Sequence, residues 1–335
     1  MTPFLDVAIT ESSQVGEARR AALRLASEAG FGEDACGRIA LVATELGSNL
    51  SRHAQQGRLL LGCRGSADGL QFELVSLDRG PGMADVQRCL RDGFSTGSTP
   101  GTGLGAVQRM SSTFSVHSLP GRGSVILARL HEKPSTPSTQ ASAGLAWSGI
   151  CLAAPGETVS GDGWAVLPLD AGAMIMVADG LGHGPLAAEA SDAALAVFAK
   201  APGTSPSTLL ERAHAAMRHT RGAAGAIATL DAAAGTMVYA GAGNIVGRVV
   251  SGVSDRTLPS QNGTLGLQIR KLHDMAYEWP EHALVILHSD GVTTRWSFDD
   301  APGLLQCDPA VIAGWLLREH ARGRDDATVV VLRRA

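Results

Sequence analysis

Two groups of residues in this sequence are spaced to do chemistry. In the first, ATELGSNLSRHA, Glu45 and Asn49 are four residues apart, so on a helix they stack on one face. That helix also carries an apolar stripe of Ala35, Ile39, Val42, Leu46 and Leu50. A carboxylate and a carboxamide placed this way can serve one site, the amide oxygen facing a metal ion and the carboxylate facing a hydroxyl or water proton. A solvated helix face is the plain alternative. Downstream, LVSLDRGPGM ends an apolar strand in Asp78, with Gly80 and Gly82 flanking Pro81. A buried carboxylate there can accept from an exocyclic amine such as that of adenine, and the glycines let backbone approach a ring. In STGSTPGTGLG, Gly97, Gly101, Gly103 and Gly105 punctuate a loop that enters a helix, and its backbone amides could cradle phosphates. No Gly-Lys-Ser/Thr follows, which excludes a P-loop.

The second group is acidic. Asp162 lies in VSGDGW, Asp179 in IMVADGLGHG, Asp290 in LHSDGV, and Asp325 with Asp326 in GRDDATVVVL. Any single Asp-Gly is ordinarily a turn. Two apolar strands that each end in Asp-Gly, however, place carboxylates at sheet edges, hard oxygen ligands of the kind that select magnesium or manganese. Two such ions about 3.5 to 4 Å apart can lower the pKa of a water and aim it in line at phosphorus, with no covalent nucleophile. In keeping with that, the chain has no Cys-based phosphatase loop.

The elements that must carry these residues fall into two blocks. The stretch KPSTPSTQASAG, residues 133–144, lacks apolar periodicity and reads as a linker. Before it, residues 1–132 predict a strand, two helices (14–29 and 33–54), a strand pair, a short helix over 84–91, the glycine loop with its helix, and a closing hairpin. After it, residues 145–335 predict many short strands, helices at 185–199 and 207–220, and a helix at 309–319 opened by Asp308 and Pro309. The class is α+β, with a two-layer first domain and a helix-flanked β-sandwich second domain.

Composition narrows the function. A chain of 335 residues with 28 basic and 32 acidic side chains has a net charge of −4, no footprint for nucleic acid or an anionic membrane surface. The longest apolar runs are strand-length, and no signal peptide opens the chain. Its five cysteines are scattered and never spaced as CxxC, which fits a reduced cytoplasmic protein.

In their order, Glu45 with Asn49, the DRGPG turn and the glycine loop resemble the GHKL nucleotide-binding fold over residues 5–130, and within it the anti-sigma-factor serine kinases of the SpoIIAB, RsbW and RsbT type. That resemblance implies ATP as cofactor. Asn49 would hold magnesium, Glu45 would be general base toward a protein Ser or Thr, and Asp78 would read adenine beside Gly80 and Gly82. Gly101, Gly103 and Gly105 would contact phosphates. The acidic series from 145 to 334 resembles the PPM metal-dependent Ser/Thr phosphatases of the SpoIIE group, and DGLGHG is similar to the RsbX type. It implies a four-layer αββα sandwich with Asp162, Asp179, Asp290, Asp325 and the Gly180 carbonyl as ligands for magnesium or manganese, Asp326 supporting them from behind. Ser160 stands where many relatives have Gly, and His183 is expected to cap its loop.

The combined expectation is a bifunctional kinase and phosphatase acting on STAS-domain antagonists, with a downstream regulator as a further partner, in partner-switching or stressosome signalling. The competing expectation is a phosphatase whose first domain binds nucleotide and sequesters a regulator without phosphorylating it. A general metabolic ATPase is disfavoured by the lack of coupling domains.

Overall fold

The computed structural model describes residues 2–66, 69–91, 103–132 and 144–334. The glycines at 97 and 101 and nearly all of the 133–144 stretch lie outside them. The chain forms two units, Thr2–Ser138 with Ala301–Arg318, and Thr139–Asp300 with Glu319–Ala335. A cut at the linker therefore does not reproduce the division, because residues 301–318 group with the first unit.

The first unit begins with β1 (Leu5–Ile9), α1 (Ser12–Glu28), α2 (Glu33–His53), β2 (Gly57–Ser66) and β3 (Gly69–Leu77). It continues with α3 (Val86–Cys89), α4 (Gly103–Met110), β4 (Thr113–Ser118) and β5 (Ser124–His131). Helix α2 follows its stripe: Ala35, Ile39, Val42, Leu46 and Leu50 are buried. Glu33 and Asp34 in its first turn and Arg52 and His53 in its last complement the helix dipole. The helix expected over 84–91 is only the four residues of α3. Asp85 caps it by accepting from the Arg88 N–H at 2.9 Å, but it buries no side chain, so nothing extends it.

The sheet order is β1-β2-β3-β5-β4, with every pairing antiparallel. Ile9, Leu59, Leu61, Phe72, Leu74, Ile126 and Ala128 pack with the buried sides of α1 and α2. The alternate residues Leu60, Val75, Leu77, Val125 and Leu127 point to the other face and are fully buried as well. A strand that is apolar on both faces needs cover on both. That cover includes α7 (Pro309–His320): a methyl built on Gly314 would lie 3.1 to 3.2 Å from Val75, Leu77 and Val125. The two-layer domain thus gains a third layer from sequence that follows the second set of strands.

Polar contacts dock α7. Glu73 and Arg129 face each other across β3 and β5, and both are buried. Glu73 also accepts from Arg64 at 2.8 Å, and Arg129 grips both oxygens of Asp308 at 2.5 and 2.8 Å. Burial alone would raise the Glu73 carboxyl, but Arg64 and Arg129 outweigh it and hold it below the usual range. Asp308 also caps α7, accepting from the Ala310 N–H at 2.8 Å.

The second unit contains β6 (Leu145–Leu152), β7 (Asp162–Leu169), β8 (Gly172–Gly180), α5 (Pro185–Ala199), α6 (Pro206–Ala216), β9 (Ala223–Asp231), β10 (Thr236–Ala242) and β11 (Val246–Val250). There follow β12 (Asp255–Leu258), β13 (Gly263–Thr264), β14 (Gln268–Ile269), β15 (Met275–Glu278), β16 (Leu284–His288) and β17 (Ala327–Arg334). Two five-stranded sheets form, β15-β10-β9-β8-β7 and β12-β11-β16-β17-β6. Ile175, Val177, Tyr239, Val285, Leu287 and Val330 share one core, whereas Met174, Met176 and Ala178 from the opposite face of β8 join Ala190, Phe198 and Leu210 of α5 and α6. Strand β12 escapes the sequence reading because Asp255, Arg256 and Thr257 leave this edge strand exposed and polar.

Candidate functional site

In the first unit, Glu45 and Asn49 share the middle of α2, and the start of α4 lies over them. A methyl on Gly103 would stand 2.9 Å from Glu45 Oε2 and 3.8 Å from Asn49 Oδ1. Asn49 Nδ2 is buried with no hydrogen-bond partner among the described residues, a position that calls for an acceptor from a ligand or water. Asp78 closes β3. Its Oδ1 accepts from the Gly80 N–H at 2.7 Å and its Oδ2 from the Ser124 N–H at 3.1 Å. Burial raises its pKa, and these hydrogen bonds together with Arg318 oppose the rise. Arg318 donates to the Asp78 carbonyl at 2.8 Å. Gly82 has a φ of +66°, and a methyl there would strike the Leu119 carbonyl, so a packing constraint alone accounts for it. Gly105 is buried in α4; Gly101 lies outside the described residues.

In the second unit, the strand ends bring the acids together. Register pairs Asp162 on β7 with Asp179 on β8. Asp290 lies two residues past β16, and Asp325 and Asp326 immediately precede β17. The glycines after two of these acids are required by close approach: a methyl would fall 2.0 Å from the Ala187 carbonyl at Gly180 and 1.9 Å from the Asp326 carbonyl at Gly291. Burial pushes the carboxyls of Asp162 and Asp179 well up. Like charge adds to this, from Asp326 and Asp290 on Asp162, and from Asp162, Asp290, Asp325 and Asp326 on Asp179.

Hydrogen bonds distribute the roles. Asp326 is committed to backbone, accepting from the N–H groups of Ala154 at 2.7 Å and Gly161 at 2.8 Å. Asp162 accepts from the Ser289 hydroxyl at 2.6 Å through Oδ2, while its Oδ1 is buried with no partner among the described residues. Ser160 accepts from the Asp162 N–H at 3.1 Å. Asn244 donates to Asp290 at 2.7 Å, and His183 Nδ1 bonds Glu157 at 2.8 Å on the exposed rim. Ser289 and Asn244 are site residues the sequence reading missed; Ser289 is adjacent to Asp290, but nothing local marks Asn244.

Among the described residues no three His, Cys, Asp or Glu side chains enclose one point closely enough to hold a metal ion by themselves. Magnesium keeps several waters and needs only one or two carboxylates. An uncommitted buried carboxylate oxygen among acids that raise one another fits such an ion, with Asp162, Asp179, Asp290, Asp325 and the Gly180 carbonyl as the available oxygens.

Residues 9–130 match the profile of the histidine kinase-like ATPase domain, and residues 170–335 that of the stage II sporulation protein E (SpoIIE) family. The serine/threonine-protein kinase RsbT of Bacillus subtilis (strain 168) is 32% identical over 111 residues, 33% of this chain and 84% of RsbT. The chain belongs to the RsbT family, fused to a SpoIIE-type domain. The two five-stranded sheets make up its SpoIIE-type half. A solved structure from work on the bacterial stressosome as a modular system adapted to control secondary messenger signaling is similar at 27% identity and a TM-score of 0.53, covering 56% of this chain and 99% of its own. A crystal structure of RsbX in complex with magnesium has a similar fold, at 22% identity and a TM-score of 0.50, covering 57% of this chain and 96% of its own. No helix among the described residues is long and apolar enough to cross a membrane.

Proposed function

We propose that this chain is a bifunctional partner-switching regulator. Its RsbT-like unit would transfer the γ-phosphoryl group of ATP to a Ser or Thr of a STAS-domain antagonist, and its SpoIIE-type unit would remove phosphate from phosphoserine or phosphothreonine. The observation that carries the reading is the gathering of Asp162, Asp179, Asp290 and Asp325 beside an uncommitted buried carboxylate oxygen. Magnesium or manganese bound there would lower the pKa of a water and stabilise charge on the phosphoryl oxygens. This chain's own part is to fix the acids: Ser289 orients Asp162, Asn244 orients Asp290, and Asp326 ties residues 154 and 161 together.

In the first unit, Asn49 would bind the magnesium that accompanies ATP, and Asp78 would accept from the adenine amine. Glu45 would take the proton of the acceptor hydroxyl as that oxygen bonds to phosphorus. The 32% identity to a serine/threonine-protein kinase supports this half. The test uses the full chain, a STAS-type substrate and ATP. Glu45→Ala is expected to abolish transfer while retaining ATP binding, and Asp179→Ala or excess EDTA to abolish dephosphorylation. Transfer at the wild-type rate by Glu45→Ala would remove the general-base role. If Asp290→Ala, with Glu45 intact, yields no phosphoprotein, the sequestering-module reading replaces the kinase one.

A further inference from the structure

Arg221 has no role in the site as described so far. It sits two residues before β9, exposed, where the chain passes the loop that follows Asp179. A methyl built on Gly182 would lie 3.2 Å from Arg221 Nη1, so the guanidinium lies against Gly182 itself. The loop is tied to the same place by the Leu181 N–H, which donates to the Gly222 carbonyl at 2.9 Å, and β8 pairs with β9 through Gly180 and Ala223. The backbone that carries Arg221 is therefore held beside the loop that follows Asp179. Among the described residues no ion pair or hydrogen bond engages its side chain.

Its neighbours are apolar and exposed. Leu181 is 46% and Leu267 59% exposed, and a methyl on Gly222 would touch Leu267 Cγ at 3.1 Å. One leucine thus adjoins Gly182 and the other Gly222, the two glycines that bracket Arg221. The two leucines give this face apolar side chains that a protein substrate could cover.

A phosphate ester has more oxygens than the metal ions of such a site engage, and a nearby side-chain cation can receive and orient the others. An arginine does this with a planar pair of N–H donors matched to two phosphoryl oxygens. We propose that Arg221 is the substrate-positioning residue of this site, gripping the phosphate of a phosphoserine or phosphothreonine whose apolar neighbours in the protein substrate cover Leu181 and Leu267. The proposal rests on the phosphatase reading above. It goes further by naming the substrate as a phosphorylated protein segment with apolar flanks.

The test is steady-state hydrolysis by the full chain with manganese, using phosphoserine peptides flanked by leucine or by glutamate, and p-nitrophenyl phosphate. Arg221→Ala is expected to raise KM for the leucine-flanked peptide about tenfold, a larger change than any fall in kcat, and Arg221→Lys to recover part of it. Leu181→Ser and Leu267→Ser should each shrink the preference for leucine over glutamate flanks. An unchanged KM in Arg221→Ala overturns the proposal, as does a loss confined to kcat that Lys does not rescue. If the wild type hydrolyses p-nitrophenyl phosphate but does not discriminate between the flanks, the phosphatase reading stands and the apolar-surface part of the proposal fails. If it hydrolyses none of the three substrates, the phosphatase reading fails and takes this proposal with it.

Discussion

Asp308→Asn separates two jobs done by one side chain. Asp308 receives the Arg129 guanidinium on both oxygens and also caps α7 through the Ala310 N–H. Asparagine remains a good N-cap but withdraws the charge. Arg129 is 8% exposed, so losing a partner leaves a largely buried cation under-compensated. Breaking a buried pair from one side costs about 3 to 5 kcal/mol. Two facts reduce that here: Arg129 keeps Glu73, and the Asp308 side chain is 16% exposed. A loss of about 2 to 3 kcal/mol follows, and Asp308→Ala, which also removes the cap, should lose about 1 kcal/mol more. Because a two-unit chain need not unfold in one step, hydrogen exchange read by mass spectrometry is the appropriate assay. Amides of α7 and of β3 and β5 should exchange roughly 30- to 150-fold faster in Asp308→Asn, with β8 and β16 unaffected. Unchanged exchange across residues 309–318 would refute the docking role of this network.

The His117 ring bonds the Pro302 carbonyl at 3.2 Å through Nε2, and burial, reinforced by the Arg318 charge, lowers its pKa. A histidine depressed on folding stabilises most above its unfolded pKa of about 6.5, and that stability is lost as pH falls from there toward the folded value; the protection of residues 301–308, taken relative to the intrinsic exchange rate at each pH, should fall over that window and do so less in His117→Gln. Burial, with Asp162 adding to it, pushes the Cys151 thiol up to about 12, so alkylation of the native protein at pH 8 should spare Cys151, as peptide mapping would show. Gly291→Ala forces a methyl against the Asp326 carbonyl; it should destabilise the second unit by about 1 to 3 kcal/mol and reduce phosphate-ester hydrolysis, checked by thermal melts and rate measurements together.

Legibility from sequence tracks how local each signal is. The stripe on α2, the turn after Asp78 and the acid-ended strands of the second unit depend on neighbours a few residues away, and the structure places those elements within a few residues of their expected bounds. Asn244 reaches Asp290, and Arg221 the loop after Asp179, only through tertiary approach, and neither has a spacing that announces it. The third layer of the first unit did leave a trace. Residues 72–77 and 125–130 read as nearly continuous apolar runs broken by Glu73, Ser76 and Arg129, a pattern for strands covered on both faces with a charge pair inside. What the trace does not contain is the identity of the covering element, which lies about 180 residues downstream of β5.

That separation changes what dissecting the protein can establish. A fragment ending at residue 132 would lack α7 and bare Leu60, Val75, Leu77, Val125 and Leu127 together with the Glu73–Arg129 pair. A fragment starting at residue 145 would carry α7 with Ala310, Ile312, Ala313, Leu316 and Leu317, all buried in the intact chain, without the sheet that Gly314 meets. Each piece exposes a contiguous apolar face, so aggregation or loss of activity in either would report the missing cover and not a dependence of one reaction on the other. Point substitutions in the full chain leave both faces covered. They are therefore the route by which the two proposed activities can be tested apart, and Glu45 and Asp179, which belong to different units and lie off the α7 docking face, are the positions at which to do it.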